Sequence, residues 1–313
     1  MAYKNIAVFG AGGSNIGHHI LQALVADGSF TVTVLARASS KTIYPPSISV
    51  TRIEDFNDHG ALVKALHGRD VVISAVGPGE GMESQQKLID AAVDAGVKRF
   101  FPSEWGFDNA DPKAQELCPP VFGAKSKVKE YLRSRESAEF SWTAVATSIW
   151  TDWALGMKFF DIDPVAHTAR YWRNGTHAFS QTTLPYAAQA VIQVLKHPDA
   201  TRNERVFLSA FEASQRDIVA ELEKQQGMQY TVDESFDADK VVEEAKAKWL
   251  KEGDLSTLAT TIRAAVMLPE YGTNFVSAGK KPILEQVEGV RLPTLTLESV
   301  VRQWLTAQAA AGK

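Results

Sequence analysis

The chain is nearly free of cysteine and carries no large excess of charge of either sign. Its one cysteine, Cys118, cannot form a disulfide within the chain and has no identifiable base partner, which argues against a disulfide-held secreted fold and against a nucleophilic thiol. The 33 basic and 37 acidic side chains give a formal charge of -4 without a basic stripe, which argues against direct binding to nucleic acid. These absences are typical of a protein of the reducing cytoplasm, which is the location we expect.

Long hydrophobic runs are also absent. The longest, such as residues 71–76, fall far short of the roughly 20 residues that a transmembrane helix needs. The first residues lead directly into a strand-like segment, without the apolar region and cleavage site of an export signal. A hydrophobic content of 45% is that of an ordinary folded protein, so we expect neither extensive disorder nor a membrane location.

Short β-branched runs alternate with helix-type periodicity through the first 150 residues, which is the pattern of a parallel sheet with crossover helices. Because the runs are continuously apolar, we expect helices on both faces of the sheet. The predicted strands are residues 6–9, 31–36, 48–53, 71–76, 99–102 and 142–147. After this region the alternation ends, and we predict a smaller lobe with helices near 185–196, 213–226, 238–252, 255–267 and 297–310.

Several glycines lie between the first predicted strand and the first predicted helix, where residues 10–17 read Gly-Ala-Gly-Gly-Ser-Asn-Ile-Gly. Glycine permits positive φ and lets backbone N–H groups approach a pyrophosphate, and a helix N-terminus adds unpaired donors. A turn that only connects the two elements is the alternative. The strand before and the helix after are the context that a dinucleotide fingerprint requires, so the sequence predicts dinucleotide binding.

The end of the second predicted strand indicates which dinucleotide is bound. An acidic residue there binds the ribose of NAD, whereas arginine accommodates the 2′-phosphate of NADP. This chain has no carboxylate at that position and instead offers Arg37 and Lys41, a bidentate donor and a point charge. The sequence therefore predicts NADP(H) rather than NAD(H), the alternative being two solvated cations on a loop.

The Tyr-x-x-x-Lys pair of ordinary short-chain dehydrogenases is absent, but a lysine-rich helix is predicted after residue 120. At 3.6 residues per turn, Lys125 lies on the edge of the apolar stripe made by Val121, Val128 and Leu132. Lys127 and Lys129 point off to opposite sides. We expect Lys125 to face the cleft, where burial and the first turn of the helix lower its pKa and favour proton exchange. A lysine whose stem packs on the stripe and whose ammonium reaches water fits the same positions equally well.

The sequence contains two further groups of candidate site residues, a pair of histidines and three tryptophans. His18 and His19 are adjacent in a helix and do not face each other, and no spaced Cys/His cluster occurs, so we predict no metal site. Trp105, Trp150 and Trp153 follow the fifth and sixth predicted strands, and ligands bind beyond the carboxyl ends of parallel strands. We interpret these tryptophans as walls of an aromatic substrate pocket, with a place in the core as the alternative.

Together these motifs resemble the NmrA-like, atypical short-chain dehydrogenase/reductase family. The segments that carry the resemblance are the glycine turn, residues 34–37, 71–74, 85–90 and 96–106, and Lys125. The most similar branch contains isoflavone reductases and phenylcoumaran benzylic ether reductases, including fungal aromatic alcohol reductases. The similarity covers most of residues 4–225, and the block Arg-Phe-Phe-Pro-Ser-Glu-Trp-Gly at 99–106 is its most specific part.

The resemblance implies a Rossmann-type doubly wound sheet with a smaller α/β substrate lobe, NADPH as hydride donor and reduction of a small aromatic substrate. Such a substrate is phenylpropanoid-like, an aldehyde, a ketone, a quinone or a benzylic ether. Lys125 matches the lysine that the family uses for proton transfer. The turn departs from the usual Gly-x-x-Gly-x-x-Gly, because three residues separate Gly13 from Gly17. Some relatives are non-catalytic NADP(H) sensors that bind a protein partner, and this alternative stays open.

These inferences define the expected site. We expect residues 1–150 to form the NADP-binding domain and 151–313 the substrate lobe, with some segments packing back on the first domain, in a monomer or homodimer. The expected cofactor-binding residues are Gly10, Gly12, Gly13, Ser14, Asn15, Ile16, Arg37, Lys41, Ser74, Val76, Gly77, Ser103 and Lys125. The expected substrate-pocket residues are Trp105, Ser148, Trp150 and Trp153, and the expected catalytic residue is Lys125.

Overall fold

The structure is a computed structural model that describes residues 3–77, 81–233, 235–280 and 282–311. The elements of the first half are β1 (Asn5–Phe9), α1 (Ile16–Asp27), β2 (Thr31–Arg37), β3 (Ser49–Ile53), α2 (His59–Leu66), β4 (Val71–Ser74), α3 (Gly81–Asp94), β5 (Arg99–Phe101), α4 (Pro112–Leu117), α5 (Ala124–Ser134) and β6 (Ser141–Ala146). Those of the second half are β7 (Ile149–Trp150), α6 (Thr151–Gly156), β8 (Ile162–Asp163), β9 (Thr168–Ala169), β10 (Phe179–Thr182), α7 (Leu184–Lys196), β11 (Glu204–Phe207), β12 (Phe211–Ala213), α8 (Gln215–Gln226), β13 (Thr231–Val232), α9 (Ala238–Glu252), α10 (Leu258–Met267) and α11 (Leu297–Ala311).

A seven-stranded parallel sheet is the centre of the fold. Its strand order is β11-β6-β5-β4-β1-β2-β3, so the chain reverses its direction of winding at β1. Alternate residues of β1 face opposite sides: Ile6 and Val8 pack with α1 and α7, whereas Ala7 and Phe9 pack with α2, α3 and α5. This is the Rossmann-type doubly wound sheet, and the predicted fold class is confirmed.

The ends of the strands and helices follow local chemistry. α1 begins at Asn15, whose side chain accepts a hydrogen bond from the backbone N–H of Gly17, and it ends at Gly28 in the left-handed conformation. β5 ends one residue before its predicted limit because Pro102 has no N–H to donate to the ladder. β4 ends at Ser74, two residues before its predicted limit, although the N–H of Ala75 still donates to the carbonyl oxygen of Phe9 at 2.8 Å.

The second half forms two small three-stranded sheets, β12-β10-β7 and β13-β9-β8, covered by helices. Its five long helices lie within a few residues of the predicted ranges. β11 joins the edge of the large sheet and α7 packs against α1, so segments after residue 150 return to the first half. The division at residue 150 stays a prediction. Within the described residues, no helix is both long and apolar enough to cross a bilayer.

Candidate active site

A groove of about 430 Å³ lies at the carboxyl ends of β1, β2 and β4. The glycine turn forms one wall and the loop after β2 forms the other. Its lining residues are Phe9, Gly10, Ala11, Gly12, Asn15, Leu35, Ala36, Arg37, Ser39, Ser40, Thr42, Tyr44, Ala75, Val76 and Gly77. We name this cavity the turn groove. It occupies the position where a doubly wound sheet binds its ligand, outside the strand ends at the reversal of strand order.

At two positions of the turn, close contacts with neighbouring backbone atoms require glycine. Gly10 has a φ of +88°, and a Cβ there would lie 2.4 Å from the carbonyl oxygen of Ala75. A Cβ on Gly17 would lie 2.3 Å from the carbonyl oxygen of Gly10. Despite the three-residue spacing, Gly17 therefore allows the close contact between α1 and β1 that the third glycine of the fingerprint supplies. Gly12 faces the opposite wall, with its Cβ position 3.0 Å from Thr42 Oγ1.

The loop after β2 is held in place by a side chain from the neighbouring strand. Arg52 of β3 donates from Nη1 to the carbonyl oxygen of Ser40 at 2.6 Å, and it approaches those of Arg37 and Thr42 at 3.5 Å. The loop is thereby fixed against the sheet. Arg37 lines the turn groove, as predicted from its place at the strand end, whereas Lys41 is exposed and lies outside the lining.

A second cavity, of about 360 Å³, adjoins the turn groove and shares Asn15, Ala75, Val76 and Gly77 with it. The remaining lining residues are mostly apolar and aromatic: Ile16, Ser103, Trp105, Gly106, Phe107, Asn109, Val121, Phe122, Lys125, Ser148, Ile149, Trp150, Trp153, Phe159 and Ile262. We name it the aromatic cavity. The structure thus brings the three predicted tryptophans together with Ser148, Ser103 and Lys125.

The aromatic walls are held by specific contacts. Trp105 Nε1 donates to the carbonyl oxygen of Ser74 at 2.8 Å, so this ring is fixed against β4. Trp150 and Trp153 meet edge to face with centroids 6.3 Å apart, and Trp153 contacts Phe159 at 5.4 Å. These tryptophans belong both to the cavity wall and to the packing of the molecule, so the two alternatives raised from the sequence are not exclusive.

Lys125 is the cation of the aromatic cavity. Its Nζ donates to the carbonyl oxygens of Glu104 at 3.0 Å and Trp105 at 3.3 Å, and the side chain is partly buried. An ammonium group has three N–H donors, so one donor stays available toward the cavity. Burial lowers the pKa of Lys125, and the nearby Glu104 carboxylate opposes this shift. The arrangement holds a proton that a bound oxygen atom could accept.

The backbone around Lys125 differs from the sequence expectation in one respect. A π-helical turn at Pro119–Gly123 precedes α5 and runs directly into it, because Gly123 itself has helical φ and ψ. Lys125 therefore lies in the second turn of continuous helical backbone. The expected effect of a helix N-terminus on its pKa is weakened, because that effect falls off beyond the first turn. The π-helical turn also places Phe122 in the cavity wall beside the lysine.

A buried carboxylate lies directly behind Lys125. Glu104 is 2% exposed, and its Oε1 accepts a hydrogen bond from Asn109 Nδ2 at 2.9 Å. The same Asn109 amide also donates to the Glu104 carbonyl oxygen at 3.1 Å, the oxygen that binds the lysine. Asn109 thereby fixes both ends of the glutamate and, through it, the position of the ammonium group.

The other predicted residues lie apart from the cavities. Ser74 is buried and contributes its carbonyl oxygen to Trp105, while Gly13 and Ser14 lie outside both linings. Cys118 is buried, and burial raises the pKa of its thiol. Among the described residues, no group of three His, Cys, Asp or Glu side chains could hold a metal ion.

Several lining residues were missed by the sequence analysis. Val121 lies four residues and Phe122 three residues before Lys125, so helical spacing could have found them as neighbours of the lysine in the wall. Thr42 and Tyr44 come from an aperiodic loop, and Ile262 comes from α10, more than 130 residues after Lys125 along the chain. No local pattern indicates that these side chains meet the glycine turn or the lysine.

Comparison with known proteins agrees with this description. The chain matches the NmrA-like family over residues 2–244. It is 36% identical over 271 residues to oxidoreductase aprR of Aspergillus flavus, covering 87% of this chain and 90% of that one. The crystal structure of isoflavone reductase superposes with a TM-score of 0.76 at 22% identity, covering 97% and 100% of the two chains. The binary complex of leucoanthocyanidin reductase with NADPH from Vitis vinifera gives 0.75 at 16%, covering 96% and 99%.

A Rossmann-type sheet with a glycine turn and an adjoining cavity is the architecture of a dinucleotide-binding fold. The chain belongs to the NmrA-like family and is an oxidoreductase of its isoflavone reductase-like branch.

Proposed function

We propose that this protein is an NADPH-dependent reductase of a small aromatic substrate, with Lys125 as the proton donor. The observation that carries the proposal is the position of Lys125 in the wall of an aromatic cavity that is continuous with the turn groove. A dinucleotide in the groove and an aromatic ring in the cavity would meet at the residues that the two spaces share. Among the described residues that line the shared space and the aromatic cavity, Lys125 is the one with an acid–base side chain.

The residues of the turn groove fit a dinucleotide that carries a 2′-phosphate. Gly10 and Gly12 line the groove at the start of α1, where backbone N–H groups can approach a pyrophosphate, and none of its described lining residues carries a carboxylate that would repel it. Arg37 supplies a guanidinium at the end of β2, where NADPH carries its extra phosphate. When bound, NADPH supplies the hydride. The structural similarity to a reductase crystallised with NADPH supports this choice.

The role of Lys125 follows from the contacts of its ammonium group. The carbonyl oxygens of Glu104 and Trp105 accept from Nζ, and the third N–H of the ammonium group is left to donate to a substrate in the cavity. Burial makes that proton easier to give up than it is in water, because desolvation disfavours the charged form. Lys125 would give a proton to the substrate oxygen, becoming a neutral amine, while the adjoining carbon receives the hydride. In a carbonyl compound the C=O π bond breaks and an alcohol forms; in a benzylic ether the benzylic C–O bond breaks and the oxygen keeps its other substituent as a hydroxyl group.

The cavity wall defines the class of substrate. Trp105, Phe107, Trp150 and Trp153 offer flat apolar faces, which suit an aromatic ring better than a sugar or an extended acid. The polar groups near Lys125 are few, and Ser148 is one of them. We propose a neutral aromatic aldehyde, ketone, quinone or benzylic ether of phenylpropanoid type.

Steady-state oxidation of NADPH against a panel of these compounds tests the proposal. With an active substrate in hand, Lys125→Ala should lower kcat by about 10²–10⁴-fold, the usual contribution of a positioned proton donor. NADPH affinity should change little, because Lys125 lies in the wall of the aromatic cavity and outside the turn groove. Lys127→Ala is the matched control, since Lys127 is exposed on the same helix.

Two results would contradict the proposal. Full turnover by Lys125→Ala would show that the proton comes from water or another group. Inactivity against the whole panel, together with tight NADPH binding, would favour the non-catalytic sensor that the family resemblance left open.

A further inference from the structure

A third cavity lies beside β11, the strand at the edge of the large sheet opposite to β3. It has a volume of about 340 Å³ and shares no lining residue with the turn groove or the aromatic cavity. Its walls come from α5, from β11 and from Gly279, Lys280 and Ile283. The lining residues are Lys129, Arg133, Trp142, Asn203, Glu204, Arg205, Phe207, Gly279, Lys280 and Ile283. We name it the basic pocket.

Positive charge dominates the inner surface of the basic pocket. Lys129, Arg133, Arg205 and Lys280 line it, against the single lining carboxylate of Glu204. Two more carboxylates, those of Asp108 and Glu104, lie buried behind the wall, so four cations face three anions. This local excess of positive charge occurs in a chain whose formal charge is -4.

The two pairs of cations are held differently. Arg205 and Lys280 both bind Asp108, and both lie over the ring of Phe207, at 4.9 and 5.4 Å from its centroid. Although burial opposes ionisation of Asp108, these two cations hold its pKa below the usual value. They are therefore fixed charges in the pocket wall.

Lys129 and Arg133 line the side of the pocket that α5 forms. They lie one helical turn apart on α5 and have no hydrogen-bonded or ion-paired carboxylate within the described part of the chain. Burial and the neighbouring Arg205 lower the pKa of Lys129, although Glu104 and Asp108 oppose this. Holding two such cations side by side costs free energy, and an anion placed between them would relieve the repulsion.

We propose that the basic pocket is a second ligand site, which binds the phosphate or carboxylate group of a small anionic molecule. Arg133 and Lys129 would donate to the anion from α5, and Lys280 would donate from the opposite wall. The Phe207 and Trp142 side chains would contact the apolar part of the ligand. This site is independent of the turn groove, so it does not rest on the proposed reductase activity.

Calorimetric titration of the protein with inorganic phosphate and with succinate, at an ionic strength matched with sodium chloride, tests the proposal. Each titration is run on the unmodified protein and in the Arg37→Ala background, which removes the guanidinium of the turn groove. We expect one site for phosphate, for succinate or for both, and the arm that binds identifies the anionic group. Lys129→Gln/Arg133→Gln in that background should weaken binding by about tenfold or more, because a hydrogen bond to a charged group contributes that much.

Lys127→Gln/Arg291→Gln is the matched control, because it removes two exposed cations that do not line the pocket. Arg133→Gln alone is a second test variant, since Arg133 is exposed and its replacement leaves the core intact. Equal binding by the Lys129→Gln/Arg133→Gln variant and its control would overturn the proposal. So would the absence of binding by both anions, or phosphate binding that Arg37→Ala alone abolishes, which would assign the anion to the turn groove.

Discussion

Arg37 stands at the end of β2 and lines the turn groove, where a 2′-phosphate would have to be recognised. Replacing it with alanine removes a charge-assisted contact, so Arg37→Ala should weaken NADPH binding by about 10- to 100-fold and leave NADH binding nearly unchanged. Titration calorimetry with each cofactor measures the effect. Lys64→Ala, which removes an exposed cation from α2, should alter neither affinity. Equal affinity of the unmodified protein for NADPH and NADH would refute the assignment.

The pH dependence of turnover reports on the second cation of the site, Lys125. A proton donor must be charged before it acts, so kcat should be high below the pKa of Lys125 and fall as pH rises through it. Because burial lowers this pKa, the descending limb should lie below the usual lysine value of 10.5. Glu104 raises the pKa, so Glu104→Gln should move the limb to lower pH, and the amide oxygen can still accept from Asn109. An unmoved limb would show that another group titrates.

The two cations also show which single residues a sequence can locate. Lys125 could be placed because the stripe of Val128 and Leu132 fixes which side of α5 is buried. Arg37 could be placed because a strand end has a known position in a parallel sheet. Arg52 could not, because its contact with the Ser40 carbonyl depends on the path of a loop with no periodic pattern. The basic pocket could not be found either, since α5, β11 and the residues Gly279, Lys280 and Ile283 meet only in the folded chain.

At the scale of elements, the contact between β1 and α1 depends on Gly17. Any Cβ at this position would overlap the backbone of Gly10, which cannot move without shifting the whole turn. Gly17→Ala should therefore lower the free energy of unfolding by about 1–3 kcal/mol, as overpacking does, and weaken dinucleotide binding. Chemical denaturation and cofactor titration measure the two effects.

Gly60→Ala gives the matched comparison, since Gly60 also lies in a helix but has free space around its Cβ position apart from Asp58 at 3.4 Å. This replacement should stabilise the protein by about 0.5–1 kcal/mol, because glycine is a poor helix former. If Gly17→Ala were equally harmless, the close packing of α1 on β1 would not be required.

Long, periodic elements were predictable and very short ones were not. The central strands β1, β2 and β4 lie in continuous apolar runs, and the helices α7 to α11 are long enough to show an apolar repeat, so their predicted limits differ from the structure by only a few residues. β8 and β9 have two residues each, too few to show any period. β11 was missed because it has four residues with a single fully buried one, Val206, and owes its place in the sheet to pairing with β6.

At the scale of the whole molecule, one buried arginine connects the two halves of the chain. Arg99 at the start of β5 is 1% exposed and donates to Ser141 Oγ at 2.7 Å and Thr143 Oγ1 at 2.6 Å on β6. Its Nη2 also donates to the carbonyl oxygen of Pro198 at 2.9 Å, in the connection between α7 and β11. Arg99 therefore holds the connection between α7 and β11 against β5 and β6 at the edge of the sheet. A guanidinium is suited to this task because its rigid fork can serve several acceptors at once.

Arg99→Met keeps much of the apolar stem of the side chain but removes every donor, so the Pro198 carbonyl oxygen loses its charged partner in the interior. Each hydrogen bond to a charged group contributes about 1.5–3 kcal/mol, and losses at one side chain are not additive, so the free energy of unfolding should fall by roughly 3 kcal/mol. Arg291→Met, at an exposed position, should change it by less than about 0.5 kcal/mol. Urea denaturation compares the two variants. Hydrogen exchange should also show faster opening of β11 and the end of α7 in Arg99→Met, whereas unchanged protection there would mean that the pairing of β11 with β6 holds the two halves together without the arginine.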